Sequence, residues 1–112
     1  MEEANIKAAF VGPEATVAQV YGAGRREQVA ARTDLLIGVI PPDQVTRYLS
    51  LLGDVEVIFS TWGMPLLTDQ QLDALPSLRA VFYAAGSVQG FAPPLLERGI
   101  TVVSAWRMRY WP

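Results

Sequence analysis

Five short apolar runs punctuate the chain: IKAAFV at residues 6–11, LLIGVI at 35–40, VEVIFS at 55–60, LRAVFY at 78–83 and ITVVSAW at 100–106. Each is continuous instead of alternating, the pattern of a strand covered on both faces by crossover helices, so the sheet they build is expected to be internal. Between the runs lie helical patterns. Val17, Val20 and Tyr21 stand at helical spacing over 14–21, and a polar helix anchored by Val29 follows over 25–33. Beyond Pro41-Pro42-Asp43, Val45, Tyr48, Leu49 and Leu52 fall at i, i+3, i+4 and i+7, one apolar stripe for the core, before Gly53 ends the helix. Thr68 and Gln71 form a capping box for a helix with Leu72 and Leu75 facing inward and Pro76 as its stop. Pro93-Pro94 fix the first turn of the last helix and Gly99 supplies its carboxyl cap. Strand and helix in alternation predict an α/β fold with a parallel sheet.

Open sheets of this kind bind ligands outside the carboxyl ends of their strands. Two small-residue loops stand there, Ser60-Thr61-Trp62-Gly63-Met64 and Ala84-Ala85-Gly86-Ser87-Val88-Gln89-Gly90. Gly22 and Gly24 offer a fragment of a dinucleotide fingerprint, but no strand immediately precedes them and no third Gly follows at the required spacing. They read as a flexible joint between two helical pieces.

Composition narrows the chemistry. The 112 residues suit a single domain, and a net charge of −2 without a clustered basic face argues against nucleic acid or an anionic membrane as partner. The absence of cysteine and histidine removes thiolate chemistry, the commonest metal ligands and any triad. Met1-Glu2-Glu3-Ala4-Asn5 does not resemble a signal peptide, and no apolar run approaches the ~20 residues that span a bilayer, so a cytoplasmic location is expected.

The run VIFSTWGMPLLTDQQLDALPSLRAVFYAAGS, a short helix and then ERGITVVSAW resembles the amino-terminal, substrate-binding half of the NAD-dependent D-2-hydroxyacid dehydrogenases. The likeness rests on the strand, Gly loop and helix from Val81 to Arg98 and on the strand entry Arg98-Gly99-Ile100-Thr101-Val102-Val103. It implies a flavodoxin-like five-stranded parallel sheet in the order 2-1-3-4-5 with helices on both faces. It also implies that main-chain N–H groups of Ala85, Gly86, Ser87 and Val88 hold a substrate carboxylate, as a Gly-containing nest can. The facing loop, Thr61, Trp62, Gly63 and Met64, would shape the pocket for the side group of a 2-oxo or 2-hydroxy acid. Two plainer readings stay open: the Gly86 loop as a tight strand-to-helix turn, and Trp62 as a core residue. Tyr83 reads as a half-buried packing residue.

The family's hydride transfer with NAD(P) draws on an Arg, a His and a carboxylate in its nucleotide-binding half, so the resemblance assigns no catalytic, cofactor or metal residue here. Residues 1–106 are expected to be the substrate-binding domain, and 107–112 an atypical tail replacing the family's helix, as after a truncation. A domain in that state exposes apolar surface and is expected to form a homodimer or higher oligomer burying Trp106, Tyr110 and Trp111. The alternative is a non-enzymatic flavodoxin-like dimerisation or small-ligand-binding module. A signalling receiver is disfavoured because Gly12-Pro13 and Ser60 stand where its acidic residues belong, and a flavin carrier because Gly12 to Thr16 is no hydroxyl-rich phosphate loop.

Overall fold

Residues 6–85 and 88–104 are described by the computed structural model, and among them five strands form one parallel sheet. They are β1 (Ile6–Val11), β2 (Thr33–Ile40), β3 (Val57–Ser60), β4 (Ala80–Tyr83) and β5 (Thr101–Ser104), in the spatial order β2-β1-β3-β4-β5. That is the flavodoxin-like order. Register is in step across the four strands from β1 to β5, so whole rows of side chains line up. Ala9, Ile58, Val81 and Val102 make one row, and Phe10, Phe59, Phe82 and Val103 make the next, on the opposite face.

The first row carries the main core. The Pro-rich segment after β2 is not one helix but two successive 3-10 turns, Pro42–Gln44 and Thr46–Tyr48, followed by the four-residue α3 (Leu49–Leu52). Its stripe still works as expected: Val45 and Leu52 are buried, with Tyr48 and Leu49 packed against them. Gly53 ends α3 with ordinary right-handed φ and ψ of −59° and −29° instead of a left-handed cap. The capping box on α4 (Asp69–Asp73) is complete, with Gln71 N–H donating to Thr68 Oγ1 at 3.0 Å and Thr68 N–H donating to Gln71 Oε1 at 2.9 Å. Helix α5 (Ala92–Glu97) opens on Pro93-Pro94 and closes at Gly99, whose φ is +77°. There Gly99 N–H donates to Leu96 O and Ile100 N–H to Leu95 O, both at 3.0 Å, the paired bonds of a Schellman motif with Leu95 and Ile100 both buried.

The second row is covered at one side only. Helices α1 (Glu14–Val20) and α2 (Arg25–Arg32) lie over β2 and β1, where Val17, Tyr21, Val20 and Val29 pack on Phe10, Leu35, Val39 and Phe59. Gly22 to Gly24 form the turn between them, with left-handed φ at Ala23 (56°) and Gly24 (87°). Helices thus stand on both faces, but the sheet is not wholly internal: Phe82 remains 36% exposed and Thr101 is exposed. The continuity of the apolar runs had implied cover along every strand. Continuity shows that a residue is apolar, not that a helix reaches it.

β2 begins at Thr33, directly after α2, and advances four positions, from Leu35 to Val39, where β1 advances two, from Ala8 to Phe10. The irregularity contains Gly38 at φ +85°, a conformation that suits Gly.

Because Leu95 is fully buried and its neighbour Leu96 is 57% exposed, truncating the two to Ala separates core packing from helix propensity. Leu95→Ala is expected to lower unfolding free energy by about 2–5 kcal/mol and Leu96→Ala by no more than about 0.5 kcal/mol, measured by urea titration. Equal losses would show that α5 does not seat its Leu95 face on the sheet.

Candidate functional site: the carboxyl edge of the sheet

Ser60, the last residue of β3, is fully buried and holds the strand ends together. Its hydroxyl donates to Val11 O at the end of β1. Its carbonyl accepts from the Tyr21 hydroxyl at 2.8 Å and from Ala84 N–H at 2.9 Å. β1, β3, β4 and the end of α1 therefore meet at one residue. On the far side, Ser104 at the end of β5 donates its hydroxyl to Ala85 O at 3.1 Å. The loops after β3 and β4 leave the sheet side by side, as the sequence predicted.

The loop after β3 folds tightly against the first βα turn. Gly63 has φ +92°, and a Cβ there would lie 2.7 Å from both Cγ and Cδ of Pro13. Glycine is required on both counts. Thr16 Oγ1 donates to Pro13 O at 3.0 Å and lies 3.4 Å from Trp62 O, and Met64 N–H closes the turn on Thr61 O at 3.1 Å. Gly12 is similarly close: a Cβ would stand 3.2 Å from Val17 and 3.6 Å from Ser60 Oγ.

The candidate residues separate into three groups. Trp62 is 55% exposed and Gly63 is exposed, so the indole is not a core residue and stands at the edge. Met64 and Ala85 are buried in the main core, and Val88 packs against it, while Val88 O accepts from Phe91 N–H at 3.2 Å and Ala92 N–H at 2.9 Å. Met64 thus turns away from the edge, and Ala85 and Val88 have only main-chain groups to offer there. Gly86 and Ser87 lie outside the described residues, as do the tail residues Trp106, Tyr110 and Trp111.

Thr61 is the unusual member. It is fully buried, and its Oγ1 has no hydrogen-bond partner among the described residues. A hydroxyl desolvated without a partner costs free energy, and such groups mark places where packing has not been optimised for stability alone.

No ionisable side chain belongs to Gly12-Pro13, Thr61 to Met64 or Ala84-Ala85. The nearest titratable groups in the cores beneath are phenols. Burial raises the Tyr21 hydroxyl well above its ordinary range and raises that of Tyr83, which packs on Phe91 at 4.6 Å between ring centroids. Tyr83 is buried, more deeply than its position at a strand end suggested. The role of Tyr21 was missed in the sequence, although Ser60 closing the apolar run VIFS was a signal: a buried hydroxyl and its carbonyl must find partners.

A dinucleotide does not fit the first βα turn. Pro13 has no N–H to offer a pyrophosphate, the Glu14 carboxylate occupies the first turn of α1, and Gly22 and Gly24 join two helices instead of following a strand. Among the described residues no group of three or more Asp or Glu could hold a metal ion, and no helix is long and apolar enough to cross a membrane. Comparison with family models, with curated proteins and with solved structures finds no match.

Two substitutions probe the edge. Thr61→Val replaces the unpaired hydroxyl by a methyl of the same shape and is expected to raise unfolding free energy by about 1 kcal/mol in urea titration. A loss of that size instead would reveal a partner for Oγ1. Tyr21→Phe removes one hydrogen bond while Ser60 O keeps Ala84 N–H, so at neutral pH it is expected to cost about 1 kcal/mol. The Tyr21 phenol titrates higher in the fold than in the unfolded chain. Its contribution is therefore complete below the unfolded value of about 10 and is lost progressively as pH rises from there through the higher folded value. The decline of stability above that pH is expected to be shallower in Tyr21→Phe than in the parent, with Tyr83 supplying what remains. Superimposable alkaline limbs would overturn the assignment.

Proposed function

We propose that this chain is a substrate-binding domain of the D-2-hydroxyacid dehydrogenase type, which holds a small 2-oxo or 2-hydroxy acid at the carboxyl edge of its sheet and is inactive alone. The observation that carries the reading is the carboxyl ends of β3 and β4 held side by side, with Ala84 N–H donating to Ser60 O, and the unpaired Thr61 hydroxyl next to that bond. Main-chain N–H groups of the Gly86 loop would receive the carboxylate, and Trp62 at the rim would limit the size of the side group. Among the described residues this edge carries no ionisable side chain, and in this reading its role is recognition and positioning. Hydride transfer, with NAD(P), belongs in this reading to a separate nucleotide-binding domain, since the first βα turn does not accept a dinucleotide.

A non-enzymatic binding or dimerisation module is the second reading, and it draws on a different place. β2 is an edge strand, and an apolar groove of about 420 Å³ runs along it, lined by Leu35, Leu36, Val39, Ile40, Tyr48 and Leu51, the last 55% exposed. An exposed strand edge beside such a groove suits a second copy of the chain or a small apolar ligand.

Isothermal titration with a panel of small 2-oxo acids and with NADH, joined to light scattering, separates these. The first reading expects weak binding of at least one 2-oxo acid, no binding of NADH, no turnover, and loss of about tenfold in affinity in Thr61→Val if the hydroxyl turns to the ligand. An absence of binding by every oxo acid together with a concentration-dependent dimer would replace it with the second.

A further inference from the structure

We propose that the uncovered part of the second sheet face, over Phe82, Thr101 and Val103, is the docking surface for the segment of this same chain that follows β5, residues 105–112. The topology gives the reason. The connection from β1 steps outward to β2 and carries α1 and α2 over one face. The three later connections step the other way, from β2 across to β3, β4 and β5, and right-handed crossovers put all of them on the opposite face. No connection within the sheet is left to cover β4 and β5. Yet the row there is apolar: Phe82 stacks on Phe59 with ring centroids 5.4 Å apart and planes within 16°, and still shows more than a third of its surface.

Two segments flank the described strands in the sequence, residues 1–5 and 105–112. Met1-Glu2-Glu3-Ala4-Asn5 enters at the amino end of β1 and would bring two carboxylates onto an aromatic surface. The segment that follows Ser104 in the chain continues from the edge strand β5, which borders the open face, and carries Trp106, Met108, Tyr110 and Trp111 among its eight residues. Eight residues reach at most about 26–29 Å. The two strand spacings from β5 to β3 span only about 10 Å. Reach is therefore ample, and the polar members, Arg107 and Arg109, can keep their charges in water while their stems cover Phe82.

Since the chain has no cysteine, engineered pairs report on this contact cleanly. Ala80→Cys, on the open face of β4, is combined in the full-length chain with Arg109→Cys. The control pairs Arg109→Cys with Leu96→Cys, on α5 and so on the opposite face. Docking is expected to close the first pair into an intramolecular disulfide at least about tenfold faster than the control under the same mild oxidant, because it raises the effective concentration at one face only. Equal rates would overturn the proposal, and so would a covalent dimer as the main product, which assigns the face to a second copy. Should Ala80→Cys fail to fold, Trp62→Phe leaves Trp106 and Trp111 as the only indoles. Adding Phe82→Ala to that background is expected to increase their quenching by acrylamide, and unchanged quenching would count equally against docking.

Discussion

Everything at the carboxyl edge depends on the satisfaction of one buried residue. Ser60 brings a hydroxyl and a peptide carbonyl into a fully desolvated position, and both would be costly if left unpaired. Three bonds meet that demand: to Val11 O, from Tyr21 and from Ala84 N–H. Each comes from a different element. The strand ends are consequently fixed relative to one another by directional bonds, whereas apolar packing beneath them is non-directional. The loops after β3 and β4 inherit that placement, which is why small residues there can define an edge without any charged side chain.

The two faces of the sheet differ because of the direction in which the chain moves along it. A single outward step, β1 to β2, places α1 and α2 over Phe10. Three steps in the other direction place the remaining helices on the Ile58 and Val81 row, where Leu52, Leu72, Leu75 and Leu95 complete the main core. Handedness, and not composition, therefore decides which aromatic residues are covered. Phe10, Phe59 and Phe82 are the same residue type in one row, and their exposure rises from β1 to β4 as distance from α1 and α2 increases.

Much of this was legible in the sequence because it is local. The strand at Ile6–Val11, the Thr68 capping box and the closure of α5 at Gly99 each depend on residues within a few positions of one another. The strand order came from the family resemblance. What could not be read is what depends on residues far apart in the chain: Tyr21 with Ser60, the crowding of Gly63 by Pro13, and the inward turn of Met64 while Trp62, two residues earlier, faces out. The stripe from Val45 to Leu52 shows the boundary between the two. Its spacing correctly identified the buried face, but the same spacing is compatible with 3-10 turns, in which residues three apart also align.

The contrast between Ser60 and Thr61 bears on how the edge could work. Two adjacent hydroxyls are both fully buried at the end of the central strand region, yet one takes part in a bonded hub and the other has no partner among the described residues. If stability alone governed the position, Val would serve better than Thr, since it has the same shape and no desolvated oxygen. In the proposed reading, an unpaired donor at the carboxyl edge of a parallel sheet would acquire its partner when a polar ligand arrives, and the free energy withheld from folding would then appear as affinity. The same logic accounts for the absence of charge at the edge. In the proposed reading, a small anion held by main-chain N–H groups needs close approach more than it needs a lysine.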